Sequence, residues 1–228
     1  MKHWIILTLL AIFYSCSSNY DVKKIHIFLD VTDPKLQKSI NGSIITNDIV
    51  DAIELNESFS DAVETYIHDM NNLSRSRANT LNLPPDKKGN SMIRKKQIED
   101  FIMGLKGELS QRLAEIKGKE SSKLVEKVCS VYESESKHST LAFIYSDFLQ
   151  NSENISFYND NTLEKASTQP IAFAKENLDP ICQIDSLPHT TFHLHTLRNA
   201  STDQDVNKAE AFWKIWLQSK GAKVLIKS

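Results

Sequence analysis

Two aspartates stand at the ends of two β-prone runs in this sequence. The first run, KIHIFLD, ends at Asp30, and the second, TLAFIYSD, ends at Asp147. Continuous apolar runs of this length are typical of buried parallel strands. Ligands of open α/β sheets bind beyond the carboxyl ends of the strands, where the strand order reverses. If the two strands are neighbours, the two carboxylates face one crevice.

Hydroxyl side chains could join the aspartates in this crevice. The candidates are Thr32, Ser121, Ser122 and Ser146. Carboxylates and hydroxyls without histidine or thiolate are hard oxygen ligands, which suit Mg²⁺ or Mn²⁺. The alternative is that both aspartates simply end strands and that the residues after Asp30 cap a helix.

A hydrolase that uses Asp30 as its nucleophile is another possibility. Phosphatases of the haloacid dehalogenase type place such an acid at a strand end and need a second acid two residues later. This chain has Thr32 at that second position. It also has neither a Gly-rich phosphate loop nor a G-x-S-x-G motif. We therefore do not expect an enzyme.

Three histidines lie close together near residue 190. His193 and His195 are two residues apart on a predicted strand, so their rings lie on one face, and His189 is nearby. This arrangement could form a zinc or copper site. Because no acid accompanies the histidines, we expect a solvent-facing strand edge instead.

The chain contains three cysteines, Cys16, Cys129 and Cys182. Cys129 lies on an apolar helix face with Val125 and Tyr132, which predicts a buried free thiol. A pair between Cys129 and Cys182 could form in an oxidising compartment, although two cysteines do not make a disulfide framework.

The first sixteen residues have the three parts of a signal peptide in order. Lys2 supplies a positive start, Trp4 to Tyr14 is an apolar run broken only by Thr8, and the small Ser15 precedes Cys16. A cysteine at the cut resembles the bacterial lipoprotein signal, in which that cysteine receives lipid and becomes the mature N-terminus. The alternatives are an ordinary secretory signal with an incidental cysteine, or an uncleaved anchor. No later apolar run approaches the roughly 20 residues that span a bilayer.

This signal predicts where the protein is located in the cell and how its chain is divided. We expect a signal peptide over residues 1–15, a lipidated Cys16 with a short tether over 16–23, and one domain over 24–228. The protein would be held through its lipid anchor to a membrane of a bacterial cell envelope, on the periplasmic side or the outer surface. The chain has 27 Lys and Arg against 29 Asp and Glu, a net charge of −2, so we expect no nucleic-acid partner.

Strands and helices alternate along the rest of the chain. This order predicts an α/β fold: a doubly wound, mostly parallel sheet with helices on both faces. A hairpin of Ala62 to Met70 and Ala78 to Leu83 would add one antiparallel edge strand. A weak helix is predicted over Leu163 to Leu178 with Pro170 inside it. Trp213 and Trp216 lie at helical spacing, which favours a role in the core.

The order of these motifs resembles a von Willebrand factor A domain. That family has a strand, then Asp-x-Ser-x-Ser, a hairpin, a helix, a hydroxyl residue that opens the next helix, and a strand that ends in Asp. The counterparts in this chain are Asp30-Val31-Thr32, the hairpin, the helix Ile93 to Lys117, Ser121-Ser122 and Tyr145-Ser146-Asp147.

The resemblance implies a divalent cation and a protein partner. Asp30 and Thr32 would be ligands from the first loop, Ser121 or Ser122 from the second, and Asp147 would act directly or through water. The open coordination position would accept a carboxylate from the partner. Pro34 stands where the family has its second serine and cannot coordinate through its side chain. Either Asp33 compensates or the site is degenerate.

The expected function is therefore a membrane-anchored protein-interaction module with an unidentified protein partner, helped by a divalent cation. The alternatives are a membrane-bound hydrolase that uses Asp30, and a structural lipoprotein with a dead site.

Overall fold

The computed structural model describes residues 21–31, 36, 38–56, 58–68, 79–87, 89–116, 122–135, 139–198 and 203–227. The predicted signal peptide and lipidated Cys16 lie outside these residues. The described strands are β1 (Val22–Leu29), β2 (Ala62–His68), β3 (Asn79–Leu83), β4 (Thr140–Ser146), β5 (Thr190–Thr196) and β6 (Lys223–Lys227). The described helices are α1 (Gly42–Ala52), α2 (Ser91–Glu115), α3 (Leu124–Glu135), α4 (Asp160–Thr168), α5 (Pro170–Asn177) and α6 (Asp203–Ser219).

The six strands form one sheet in the order β3-β2-β1-β4-β5-β6. Strand β3 is antiparallel to β2, and every other pair is parallel. This arrangement confirms the predicted doubly wound α/β fold with one antiparallel edge strand. The strand order reverses between β1 and β4, so the crevice expected in such a fold lies beyond Leu29 and Ser146.

Alternate residues of β1 and β4 pack into two apolar cores, one on each face of the sheet. Ile27 and Phe143 point to the core that contains α1 and α2, while Phe28 and Ile144 point to the core that contains α3 to α6. This alternation follows from the two-residue period of a strand. Residues 25–29 of β1 and 142–146 of β4 are buried on both faces of the sheet, as the continuous apolar runs predicted, whereas β2 has one half-buried face. Trp213 and Trp216 are buried in the second core, which confirms their predicted role.

Local signals explain where two of the helices begin. Asn41 precedes α1, and its side-chain oxygen accepts hydrogen bonds from the amides of Ser43 and Ile44 at 2.9 and 3.0 Å. Pro170 is the first residue of α5, a position that tolerates proline because the missing N–H has no partner there. The single weak helix predicted over Leu163 to Leu178 is therefore wrong, since the chain forms two helices that meet at this proline.

Cys129 and Cys182 form a disulfide, with their Cα atoms 5.2 Å apart. The predicted free thiol at Cys129 is therefore wrong. The apolar pattern correctly placed Cys129 on the buried face of α3, but a pattern within one helix carries no information about what lies opposite. Cys182 follows α5 and reaches the same core.

The predicted solvent-facing edge at the histidines is also wrong. Strand β5 lies inside the sheet between β4 and β6, and His193 and His195 are only 6 % and 8 % exposed. Among the described residues, no group of three or more His, Cys, Asp or Glu is placed to hold a metal ion. None of the described helices is long and apolar enough to cross a membrane.

Candidate functional site

The crevice at the end of β1 and β4 is built around Asp30. This residue follows the last residue of β1, and its amide still donates to the carbonyl of Tyr145 on β4 at 2.9 Å. The backbone pairing therefore extends one residue past the strand and holds the Asp30 side chain in place. Asp30 is 1 % exposed.

Two serine hydroxyls from distant parts of the chain converge on the Asp30 carboxylate. Ser122 and Ser146 donate to Asp30 Oδ2 at 2.7 and 2.8 Å. The other oxygen, Oδ1, is buried and has no hydrogen-bond partner among the described residues. The three side chains thus form a carboxylate–hydroxyl cluster at the reversal point of the sheet, which leaves one carboxylate oxygen for a further ligand.

Burial controls the ionisation of this cluster. Loss of solvent raises the pKa of the Asp30 carboxyl above its usual value, and the hydrogen bonds from Ser122 and Ser146 offset part of that effect. An ionised carboxylate with one unpaired buried oxygen is costly without a compensating charge. A proton or a bound cation would each relieve that cost at Oδ1.

The loop after β4 positions Ser146. The Ser146 hydroxyl accepts a hydrogen bond from the amide of Phe148 at 2.8 Å while it donates to Asp30. Phe148 has a φ of 62°, in the left-handed region that residues with a bulky side chain rarely adopt. Asp147 Oδ1 accepts from the amide of Leu149 at 3.0 Å within the same loop. Asp147, predicted as a ligand, therefore holds its own loop, and Ser146 supplies the hydrogen bond from β4 to Asp30.

A second loop positions Ser122 just before α3. The Ser122 carbonyl accepts from the amide of Asn151 at 3.2 Å, which ties the loop to the segment after β4. Near the start of α3, the amide of Val125 donates to Gln150 Oε1 at 3.1 Å, and Gln150 Nε2 donates to Glu126 at 2.8 Å. Gln150 thus caps α3 from another part of the chain, while the Ser122 hydroxyl donates to Asp30.

The structure brings together part of the predicted ligand set. Asp30, Ser122 and Ser146, all three of them candidates for the crevice, are in contact. Thr32, Asp33, Pro34 and Ser121 lie outside the described residues. Gln150 had no place in the sequence prediction, because an uncharged residue in a loop carries no signal that it caps a helix whose first turn lies 25 residues earlier.

The fold and the cluster together define a doubly wound α/β protein with a buried carboxylate–hydroxyl site at its reversal point. No protein-family model matches the chain. A search of curated proteins also finds no match. Among solved structures, the chain is similar to the conserved hypothetical protein BatB from Bacteroides thetaiotaomicron, at 11 % identity and a TM-score of 0.33, over 91 % of this chain and 92 % of that one. A likeness at this level carries no information about function.

Proposed function

We propose that this chain is an exported bacterial lipoprotein whose von Willebrand factor A-like domain is a protein-interaction module that uses a divalent cation. The observation that carries the proposal is the Asp30 cluster. A fully buried carboxylate at the reversal point of the sheet receives hydroxyls from two loops, and one of its oxygens has no partner among the described residues.

The chemistry of the cluster suits Mg²⁺ or Mn²⁺. Asp30 would supply a carboxylate oxygen, and Ser122 and Ser146 would supply hydroxyl oxygens, all of which are hard ligands. Thr32 and Ser121 are the further candidates from the adjoining loops, and Asp147 could act through water. A bound cation would offset the desolvation that raises the pKa of Asp30. It would also offer an open coordination position to a carboxylate of the partner, as in the family that the chain resembles.

The disulfide supports an exported location. Disulfides persist in oxidising compartments and are rare in the cytosol, so the Cys129–Cys182 pair agrees with the signal-like N-terminus. Strand β1 begins at Val22. At about 3.3 Å per residue, the stretch from Cys16 to Val22 spans at most about 20 Å.

This short tether would orient the domain on the membrane. The parallel strands all start at the edge that holds Val22, whereas Asp30 lies at the opposite edge. Strand β1 separates the two by about 26 Å at about 3.3 Å per residue. The candidate site would therefore face away from the membrane, where a partner protein can approach it.

The two rival functions make different demands on Asp30. A nucleophilic carboxylate must contact its substrate directly, whereas the Asp30 side chain is only 1 % exposed. A structural lipoprotein with a dead site would bind no cation.

Calorimetric titration of Mg²⁺ and Mn²⁺ into the detergent-solubilised full chain tests the proposal. We expect saturable binding to the wild type that is lost in Asp30→Asn and weakened in Ser146→Ala. Asp179→Asn is the matched control, because Asp179 forms an exposed ion pair with Lys220 and should leave binding unchanged. If the folded wild type binds neither ion, the cation proposal fails and the structural lipoprotein with a dead site is favoured. Turnover of a substrate that disappears in Asp30→Asn would favour the hydrolase.

A further inference from the structure

A second polar cluster lies at the same edge of the sheet, on the face that α1 and α2 cover. Its centre is the Asp48 carboxylate on α1. Tyr145 donates its hydroxyl to Asp48 Oδ2 at 2.9 Å, and His195 Nδ1 lies 3.3 Å from the same oxygen. Lys227 Nζ lies 3.3 Å from Oδ1. Tyr145, His195 and Lys227 are register neighbours on β4, β5 and β6, so the sheet itself brings them together around Asp48.

These side chains line a cavity of about 240 Å³. Its lining combines the polar side chains of Asp48, Tyr145 and His195 with the aliphatic side chains of Ile40 and Ile44. A small concave site with apolar walls and a few convergent polar groups is the usual form of a ligand pocket.

The charge of the cavity comes from two residues. Burial lowers the pKa of His195 to about 4, an effect that Asp48 opposes and that Lys227 and His193 reinforce. His195 is therefore neutral near pH 7. Among the residues that line the cavity, this leaves the Asp48 carboxylate as the anion and Lys227 as its counter-ion.

Lys227 is a loosely held counter-ion. Its side chain is 45 % exposed, whereas that of Asp48 is 20 % exposed. It lies at the end of β6, which pairs only with β5 among the described strands. Ion pairs with such an exposed partner contribute little to stability, because water and salt screen them. The ammonium of Lys227 can therefore leave Asp48 at small cost.

We propose that this cavity binds an alkylammonium group, such as a lysine side chain of a partner protein. The ammonium takes the position beside Asp48, and the methylene chain packs on Ile40 and Ile44. In the partner-free protein, Lys227 fills that position as an internal competitor. This site does not depend on a cation at Asp30, so either proposal can fail alone.

The test uses two probes and their neutral counterpart. Nα-acetyl-lysine N-methylamide carries one ammonium on a lysine stem, n-butylammonium carries the same group without a peptide backbone, and Nα-acetyl-norleucine N-methylamide carries no charge. Binding to the full chain is followed by ligand-observed NMR. Tighter binding of the lysine probe than of n-butylammonium would show that the site also contacts the peptide backbone, which favours a lysine of a protein partner. Equal binding would favour a free alkylamine as the source of the group.

Lys227→Ala should bind the ammonium probes at least about fivefold more tightly than the wild type, because a tethered competitor acts at an effective concentration in the mM range. Asp48→Asn should lose binding while it keeps an acceptor for Tyr145. Lys208→Ala is the matched control, since Lys208 pairs with Glu164 on an exposed surface. The proposal would be overturned if folded Lys227→Ala bound neither ammonium probe or bound them no more tightly than the wild type does. It would also be overturned if the norleucine compound bound as tightly as the lysine probe.

Discussion

The hydroxyl of Ser146 donates to Asp30 Oδ2 at 2.8 Å, and this hydrogen bond joins the ends of β1 and β4 through two residues that are 116 apart in sequence. The two side chains meet because β1 and β4 are parallel neighbours at the reversal point of the sheet, so their carboxyl ends lie side by side.

The ionisation of Asp30 should make the stability of the apo protein depend on pH. Its pKa is raised in the folded state above the usual 3.8, so the folded protein binds the proton more tightly than the unfolded chain does. The favourable contribution is full below pH 3.8 and is lost as the pH rises through the raised value. One such group can change the unfolding free energy by up to about 1.4 kcal/mol per pH unit.

Urea unfolding of the wild type and Asp30→Asn between pH 4 and pH 8, with EDTA present, measures this effect. The variant should become progressively more stable than the wild type as the pH rises, because it has no carboxyl to ionise. A constant difference between the two proteins across this range would contradict the prediction.

Reduction of the Cys129–Cys182 disulfide should lower the unfolding free energy by about 2–4 kcal/mol, because the bond restricts the unfolded chain. Urea unfolding with and without dithiothreitol measures the loss. The double variant Cys129→Ala/Cys182→Ala is the control, since dithiothreitol should leave its stability unchanged. An equal loss in the double variant would show that the reductant acts elsewhere.

Two glycines give opposite expectations for the same substitution. A Cβ on Gly42 would lie 2.7 Å from the carbonyl of Lys106 and would also meet Ser110, so α1 and α2 could not keep their close approach. Gly42→Ala should therefore destabilise the protein by about 1–3 kcal/mol.

Gly107 lies in α2, and nothing would touch an added Cβ there. Gly107→Ala should stabilise the protein by about 0.5–1 kcal/mol, because alanine loses less backbone entropy in a helix. Thermal and urea unfolding compare the two variants. The close packing of α1 on α2 would be in doubt if both substitutions had the same sign.

The proposed lipid anchor at Cys16 can be tested by lipid labelling in a bacterial host. The full chain should incorporate labelled palmitate and fractionate with membranes, and Cys16→Ser should lose the label. Cys129→Ala/Cys182→Ala should keep it, because those cysteines lie in the core of the domain. Label retained in Cys16→Ser would exclude Cys16 as the acceptor.

Much of the fold could be predicted because its signals are local. Continuous apolar runs marked β1 and β4, helical spacing placed Trp213 and Trp216 in the core, and an acid at a strand end marked Asp30. The alternation of apolar and polar residues likewise predicted the hairpin of β2 and β3. Each of these patterns depends on neighbours within a few residues, which a single sequence displays in full.

The site was predicted only in part, because its contacts join residues that are far apart in sequence and local patterns do not report such contacts. Sequence reasoning named both Ser146 and Asp147 at the end of β4 and could not rank them. Side chains alternate along a strand, and the structure shows that Ser146 is the one on the face of Asp30. The pairing of Cys129 with Cys182 and the position of β5 inside the sheet depend on segments that are remote in sequence.

The sequence by itself determined the alternation of strands and helices, the buried character of the central strands and the acid at the end of β1. The tertiary structure alone decided that Ser122 and Ser146 reach Asp30 and that Asp48 meets His195 and Lys227. The physical reason is that hydrogen bonds and ion pairs act over about 3 Å. Such distances are set by the packing of distant segments, not by their separation along the chain.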